Sequence, residues 1–144
     1  MVGTKWSAVP WGMALTLVTA VTAVAAPAAA HGRAPDRARP SQRVVLMNAD
    51  TGPRTVKLGD EVEVRLTGHR EHGLTYSWSI PVSSDSTVLP GTAGSETPSG
   101  NASAVFPAEH RGTATITAQQ HCRADPGHFC SHRIEQWTAT VEVK

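Results

Sequence analysis

Residues 61–66 read Glu-Val-Glu-Val-Arg-Leu, with charged and apolar side chains in strict alternation. Successive side chains of a β-strand point to opposite faces, so this segment predicts a strand with one buried and one solvated face. The same alternation of apolar with polar residues recurs over 76–80, 114–118 and 137–143. Weaker strand candidates lie at 44–47, 55–58, 87–89 and 102–106.

Turn-forming sequences separate these strand candidates. Gly-Pro, Gly-Asp, Pro-Gly and Asp-Pro-Gly occur between them, and such residues favour tight turns. No helical period of 3.6 residues persists for three turns between residues 31 and 144. Seven to eight short strands over about 100 residues predict an all-β, Ig-like antiparallel β-sandwich. Trp78 and Trp137, each on a strand with an apolar face, are the expected core anchors.

The first thirty residues have the pattern of a signal peptide. Lys5 precedes an apolar run over 11–24, and three alanines follow at 28–30. A charged start, a modest apolar core and small residues at the end are what a signal peptidase recognises. A membrane anchor is the alternative, but the run is shorter than the ~20 apolar residues of a span. We therefore expect a protein without a membrane span that is secreted, either extracellular or associated with the cell envelope.

Residues 31–42 form a segment with three arginines, two prolines and no large apolar residue. Such a segment buries too little surface to offset the entropy of ordering, so it predicts a flexible leader. A basic tether to an acidic cell-wall polymer is the alternative. Residues 43–144 are then the Ig-like domain. Removal of residues 1–30 leaves 12 of the 13 basic residues, because only Lys5 is lost, and they balance 12 acidic ones. This balance argues against nucleic acid as a partner.

The two cysteines, Cys122 and Cys130, flank a loop between two strong strand candidates. In an oxidising compartment they are expected to form a disulfide, which in the chain-entropy model stabilises so short a loop by about 2–3 kcal/mol. The same loop contains His121, His128 and His132, and three imidazoles are one way to hold zinc. The spacing matches no metalloprotease helix, so no metal and no cofactor are predicted. Without a nucleophile elbow, a phosphate-binding glycine loop or an unpaired cysteine, the chain is predicted not to be an enzyme.

Five segments together resemble the chagasin-type cysteine protease inhibitors. They read Leu-Gly-Asp-Glu-Val-Glu-Val-Arg-Leu at 58–66, Tyr-Ser-Trp-Ser-Ile at 76–80, Ser-Asp-Ser-Thr-Val-Leu at 84–89, Arg-Gly-Thr-Ala-Thr-Ile-Thr at 111–117 and Trp-Thr-Ala-Thr-Val-Glu-Val at 137–143. The resemblance covers about residues 54–144, nearly the whole predicted domain. It implies an Ig-like scaffold that places three loops, as a wedge, in the active-site cleft of a papain-like cysteine protease.

The resemblance also assigns the three loops. The first corresponds to His-Arg-Glu-His-Gly-Leu-Thr at 69–75, where the family usually has Asn-Pro-Thr-Thr-Gly and only Gly73 matches. The glycine-rich second loop corresponds to 94–100. The third usually carries Arg-Pro-Trp, and the loop between the cysteines offers Arg123 and Pro126 without a tryptophan.

We expect loops 68–75, 90–100 and 121–132 to leave the sandwich at one end and to bind a protein partner. Long ordered loops on a sheet scaffold tend to carry function. The most concrete function is inhibition of papain-type cysteine proteases, and the alternative is a non-inhibitory cell-surface or structural accessory domain. The predicted partner-binding residues are Arg70, Glu71, His72, Gly73, Gly94, Gly100, Arg123, Pro126 and His128.

Overall fold

A computed structural model of the protein describes residues 39–144. The predicted signal peptide, residues 1–30, and most of the predicted leader, residues 31–42, lie outside the described residues. Within the described part of the chain the regular secondary structure is entirely β, and no helix is long and apolar enough to cross a membrane. The ten strands are β1 Arg43–Leu46, β2 Arg54–Val56, β3 Glu61–Leu66, β4 His69–Glu71, β5 Leu74–Trp78, β6 Val82–Ser83, β7 Ala93–Glu96, β8 Ala102–Pro107, β9 Gly112–Ala124 and β10 Glu135–Val143.

These strands form two sheets. The first sheet has the order β1-β3-β8-β7, and the second has the order β2-β10-β9-β5-β4, with β6 also paired to β9. The predicted Ig-like β-sandwich is therefore confirmed, although it has ten strands in place of seven to eight.

Two of the strand pairings are parallel, β1 with β3 and β2 with β10, whereas the sequence predicted antiparallel pairing. The chain passes from β1 in the first sheet through β2 in the second and back to β3 in the first. Parallel neighbours need a crossover connection, and this passage through the second sheet is what brings β3 alongside β1 in the same direction. The sandwich is therefore built from mixed sheets.

The alternating strands bury their apolar faces between the sheets, as predicted. Val62, Val64 and Leu66 of β3 are fully buried, and Phe106 of β8 is the largest of the fully buried side chains. The apolar positions of the two longest strands are buried with them: Ala114, Ile116 and Ala118 of β9, and Trp137, Ala139, Val141 and Val143 of β10. Removal of this apolar surface from water is the main force that holds the two sheets together.

Both predicted tryptophan anchors lie in this core. Trp78 is 8% exposed, and its indole N–H donates to the carbonyl oxygen of Thr67 at 3.2 Å. The indole N–H of Trp137 donates to the carbonyl oxygen of Met47 at 3.3 Å. A buried indole needs such an acceptor, because an unpaired N–H in the interior is costly.

One weak strand candidate is wrong, because residues 87–89 form a turn. Asp85 organises this turn: its carboxylate accepts from the backbone N–H of Thr87 at 2.9 Å and of Val88 at 3.3 Å. The N–H of Leu89 donates to the backbone carbonyl of Asp85 at 3.0 Å. The hydrogen bonds from Thr87, and then that from Val88, lower the pKa of the Asp85 carboxyl. Val88 and Leu89 are buried nonetheless, so their apolar character reflects a turn that packs on the core.

Asp60, which immediately precedes β3, is a buried carboxylate. It accepts hydrogen bonds from the N–H of Lys57 at 2.9 Å, the N–H of Gln42 at 3.1 Å and the guanidinium of Arg39 at 2.8 Å. The bond from Lys57 does most to hold the pKa of the Asp60 carboxyl below its usual value, and those from Gln42 and Arg39 add to it against the opposing effect of burial. Arg39 and Gln42 belong to the predicted leader, so the last residues of that segment lie against the domain.

We predict that Trp78→Ala lowers the free energy of unfolding by about 3–5 kcal/mol, the range for deletion of a large buried aromatic side chain. Denaturant melts provide the measurement. Val82→Ala is the control, because this apolar side chain is 58% exposed and its truncation should leave the midpoint almost unchanged. Equal midpoints for the wild type and Trp78→Ala would show that Trp78 is not a core anchor.

We also predict an acid-sensitive contribution to stability from Asp60. Its pKa is lower in the folded protein than in the unfolded chain. The contribution is therefore fully present above the unfolded value of about 3.9 and is lost as the pH falls through the folded value. In Asp60→Asn it is absent at every pH. Unfolding free energies measured from about pH 6 downward should converge for the two proteins in acid, and curves that stay parallel would refute the role of this carboxylate.

Candidate functional site

Strand β9 extends beyond the first sheet and, with β4 and β5, builds one end of the molecule. The first sheet stops where Leu66 of β3 pairs with Ala102 of β8. Trp78 lies level with this edge, since its backbone N–H donates to the carbonyl oxygen of Gly100 at 3.0 Å. From the Trp78–Gln120 pair onward, β5 and β9 continue side by side to the end of β9, and β4 pairs with the outer edge of β5.

The segment predicted as loop 68–75 is mostly a β-hairpin. β4 and β5 are joined by only two residues, His72 and Gly73, which have φ angles of 48° and 73°. Positive φ at both central residues is the requirement of a type I′ turn, whose twist matches that of the strands it joins. A paired hairpin, unlike a loop, presents Arg70 and Glu71 from a strand, in fixed positions.

The segment predicted as loop 121–132 is closed by the expected disulfide. Cys122 lies on β9, and Cys130 lies in the connection to β10, with their Cα atoms 5.9 Å apart. Between them the chain turns at residues 125–128, where the N–H of His128 donates to the carbonyl oxygen of Asp125 at 3.0 Å and Gly127 has a φ of 83°. We call residues 123–129, which the disulfide encloses, the stapled loop.

The hairpin and the stapled loop are bound to each other. The N–H of Asp125 donates to the carbonyl oxygen of Gly73 at 2.9 Å, and the Asp125 carboxylate pairs with the guanidinium of Arg70. The imidazole of His128 lies over Gly73 so closely that a Cβ at Gly73 would stand 2.7 Å from the ring. Glycine is therefore favoured at the turn by its φ, and a side chain in its place would have to displace the exposed His128 ring.

A tight turn at 97–101 between β7 and β8 is the third member of the group. The side-chain oxygen of Asn101 accepts from the N–H of Gly68 at 2.9 Å, in the short link that precedes β4. Gly100 has a φ of 90°, and a Cβ there would stand 2.6 Å from the carbonyl oxygen of Tyr76. The predicted loop residue Gly94 is not part of this end, because it lies within β7, where a Cβ would stand 2.6 Å from the side chain of Ile80.

The structure thus gathers three segments at one end, which we call the end surface: residues 68–75, 97–101 and 121–135. Eight of the nine predicted partner-binding residues belong to it, and Gly94 is the exception. The exposed side chains among them are Arg70, Glu71, His72, Arg123, Pro126 and His128. Gly73 and Gly100 contribute instead through close backbone contacts.

Phe129 is the most exposed large apolar residue of the described chain and was not predicted. Its side chain is 89% exposed, at the edge of the stapled loop and next to Cys130. An exposed aromatic side chain costs free energy in water, and aromatic residues, phenylalanine among them, are enriched in protein interfaces. The available signal was a lone phenylalanine within an otherwise polar loop sequence, Asp-Pro-Gly-His-Phe at 125–129.

The histidines of this end are not arranged as a metal centre. Across residues 39–144 no three His, Cys, Asp or Glu side chains come together as possible metal ligands, and His121, His128 and His132 are each exposed. The end surface offers a rigid backbone, an exposed aromatic ring and charges of both signs. Such a surface is suited to binding another protein.

Comparison with known proteins identifies the fold. No protein-family model and no curated protein matches the chain in sequence. Among solved structures, the cysteine protease inhibitor EhICP2 from Entamoeba histolytica is 13% identical and has a TM-score of 0.51 over 72% of this chain and 97% of that chain. Amebosin, known from a solution structure, is 18% identical with a TM-score of 0.45 over 74% and 100%. PbICP-C, solved in complex with falcipain-2, is 12% identical with a TM-score of 0.42 over 72% and 100%. The resemblance to cysteine protease inhibitors is confirmed at the level of the fold.

We predict that Gly73→Ala displaces the His128 ring, because the new methyl group occupies its position, and also strains the turn. Gly59→Ala is the matched control, since Gly59 has a φ of 84°, no atom lies within 4 Å of its missing Cβ, and it lies before β3, away from the end surface. Each substitution should cost about 1–2 kcal/mol of stability through left-handed backbone strain. The NMR signals of the His128 ring should shift strongly only in Gly73→Ala, and an equal shift in both variants would disprove the contact.

Proposed function

We propose that this protein inhibits papain-type cysteine proteases by placing the end surface in the enzyme's active-site cleft. One observation carries the proposal: the hairpin, the 97–101 turn and the stapled loop are hydrogen-bonded to one another or to the core at one end of the sandwich. A preordered surface loses little conformational entropy on binding. EhICP2, whose fold this chain shares, is a cysteine protease inhibitor and not an enzyme, which supports this choice among the functions that a rigid loop cluster can serve.

The hydrogen bond and the disulfide of the stapled loop make it a poor substrate for a protease. Its backbone is held by the Asp125–Gly73 hydrogen bond at one side and by Cys130 at the other. If a protease cut one peptide bond between residues 123 and 129, the disulfide would keep both new ends attached. The cut ends would stay close together, so the cleft would remain occupied and release would be slow.

Phe129 is the proposed central contact of the inhibitor. Its ring has few rotatable bonds, projects from a closed loop and is almost entirely available for burial by a partner. Residues of this kind carry a large share of binding energy when the surrounding contacts exclude water. Arg70, Glu71, His72 and Arg123 lie exposed on the same end and supply the polar rim. Since these residues differ from the loop motifs usual among chagasin-type inhibitors, we expect a different preference among papain-type enzymes.

A titration of the protein against a panel of papain-type enzymes tests the proposal. We expect inhibition of at least one enzyme, and Phe129→Ala should weaken it about 30-fold or more, the effect of losing ~2 kcal/mol at an interface hot spot. Val82→Ala removes an exposed apolar side chain from β6, beside the middle of β9, and should leave inhibition unchanged. Absence of inhibition across the panel at micromolar protein would remove the proposal.

Export from the cell is part of the same proposal. The N-terminal sequence pattern and the Cys122–Cys130 disulfide support it, since structural disulfides persist in oxidising compartments. Protein recovered from the culture medium or cell envelope should begin after about Ala30 when its N-terminus is sequenced. Recovery from the cytoplasm alone, with both thiols reactive to alkylation, would contradict export.

A further inference from the structure

Histidine is concentrated at the end surface. Residues 39–144 contain six histidines, and five of them lie in its hairpin, near the end of β9 and in the β9–β10 connection: His69, His72, His121, His128 and His132. The sixth, His110, lies at the opposite end of the sandwich, between the end of β8 and the start of β9, where its Nδ1 is 2.8 Å from the carbonyl oxygen of Thr87. The concentration is a property of the fold, because residues 69–72 and 121–132 are far apart in the sequence.

The permanent charges of the end surface cancel. Its three arginines are matched by three carboxylates: Arg70, Arg123 and Arg133 against Glu71, Asp125 and Glu135. Histidine is the side chain whose ordinary charge change falls between about pH 5 and 8. Acidification within this range therefore changes the net charge in one direction only, from zero toward as many as five positive charges.

The surroundings of the histidines leave them open to solvent. All five side chains are exposed. His72 lies 3.2 Å from the Glu71 carboxylate, and His69 stacks on Tyr76 with ring centroids 4.5 Å apart. The first of these contacts brings a carboxylate to the hairpin turn, and the second keeps an imidazole on the face of β4.

The charged groups near these rings lie both in the hairpin and around the β9–β10 connection. His69 lines a cleft of about 220 Å³ together with Glu71, Arg133 and Glu135. A neighbouring cleft, between β9 and the segment that leads to β10, is lined by His121, His132 and Arg133. His128 rests on Gly73, whose carbonyl oxygen bonds Asp125, the partner of Arg70. The charged groups in these contacts all belong to the balanced set.

We propose that the end surface is a pH-dependent docking surface, which becomes cationic on acidification and then selects a partner with an anionic surface. This inference rests on the proposed function in one respect: the partner is taken to be a papain-type protease with carboxylates around its cleft, bound more tightly in acid than at neutral pH. Charges within a Debye length of about 10 Å at 0.1 M salt act together on an approaching partner. They raise the association rate and the affinity, and added salt weakens both effects.

Binding to immobilised dextran sulfate, whose sulfate groups stay ionised throughout, tests the charge change without a protease. At low salt we expect the dissociation constant to be about tenfold lower near pH 5.5 than near pH 7.5. The variant with His69, His72, His121, His128 and His132 all changed to Gln should lose most of this difference. His110→Gln, the matched control at the opposite end, should keep it. A pH dependence that is absent in the wild type, or unchanged in the five-site variant, overturns the inference.

A variant with three substitutions is the alternative if the five-site variant does not fold. His72→Gln, His121→Gln and His132→Gln together spare the His69–Tyr76 stack and the His128–Gly73 contact, and they should remove about half of the pH effect. An unchanged pH effect in this folded variant overturns the inference.

The second measurement is the inhibition constant of a protease from the panel, determined at both pH values with the same variants. Tighter inhibition in acid that depends on the five histidines supports the anionic partner, whereas pH-independent inhibition overturns that assignment. If no protease is inhibited but binding to dextran sulfate still depends on pH, the proposed function is refuted and the charge change of the end surface is supported.

Discussion

The hydrogen bonds made by Trp78 connect the core of this protein to the end surface. Its indole is buried between the sheets and donates to the carbonyl oxygen of Thr67, just beyond β3. Its backbone N–H donates to Gly100 in the turn of the first sheet, and its Cα partner across the second sheet is Gln120, where β9 begins its extension. The three segments of the end surface all start within a few residues of these contacts. Their positions relative to one another are therefore set by the packing of the core.

Two glycines show how closely this arrangement is constrained. Gly100 approaches the carbonyl oxygen of Tyr76, and Gly73 supports the imidazole of His128, each at a distance that leaves no room for a Cβ. Both residues also have positive φ angles, which side chains disfavour. The end surface owes its shape to these backbone contacts as well as to the disulfide, so reduction of Cys122–Cys130 alone would leave the hairpin in place.

Sequence patterns predicted the parts of the fold that depend on burial. The alternation at 61–66, 114–118 and 137–143 identified the strands of the core, because period-two burial is what these strands have in common. The pattern missed β7, because its four residues are all exposed and no buried face produces an alternation of apolar and polar residues. It also missed the β4–β5 hairpin, because the turn uses His72 at positive φ in place of the usual asparagine or aspartate. The parallel pairings depend on the route of the chain between sheets, which local alternation does not encode.

The candidate site was predictable as a location but not as a set of contacts. Turn residues and the cysteine spacing located loops 68–75 and 121–132 in the sequence, and the strand order expected of an Ig-like sandwich placed them at one end. The ion pair between Arg70 and Asp125 joins residues 55 positions apart and becomes visible only once the strands are in register. Gly94 was assigned to a loop because the resemblance to chagasin-type inhibitors implies a glycine-rich second loop there, whereas the structure places Gly94 in β7, against the side chain of Ile80. Phe129 was overlooked because apolar residues were assigned to the core, and its exposure follows from the closure of the stapled loop.

Arg39 and Lys144 lie on the same side of the sandwich, away from the end surface. Arg39 is bound to Asp60 there, and the backbone of Lys144 pairs with Val56 and Leu58 a few residues away. Attachment through either residue, to a solid support or to a fused protein, would therefore orient the hairpin and the stapled loop outward. Copies fixed in this way on a sensor chip or bead would all present the same face to solution, and their binding capacity should approach one partner per immobilised molecule.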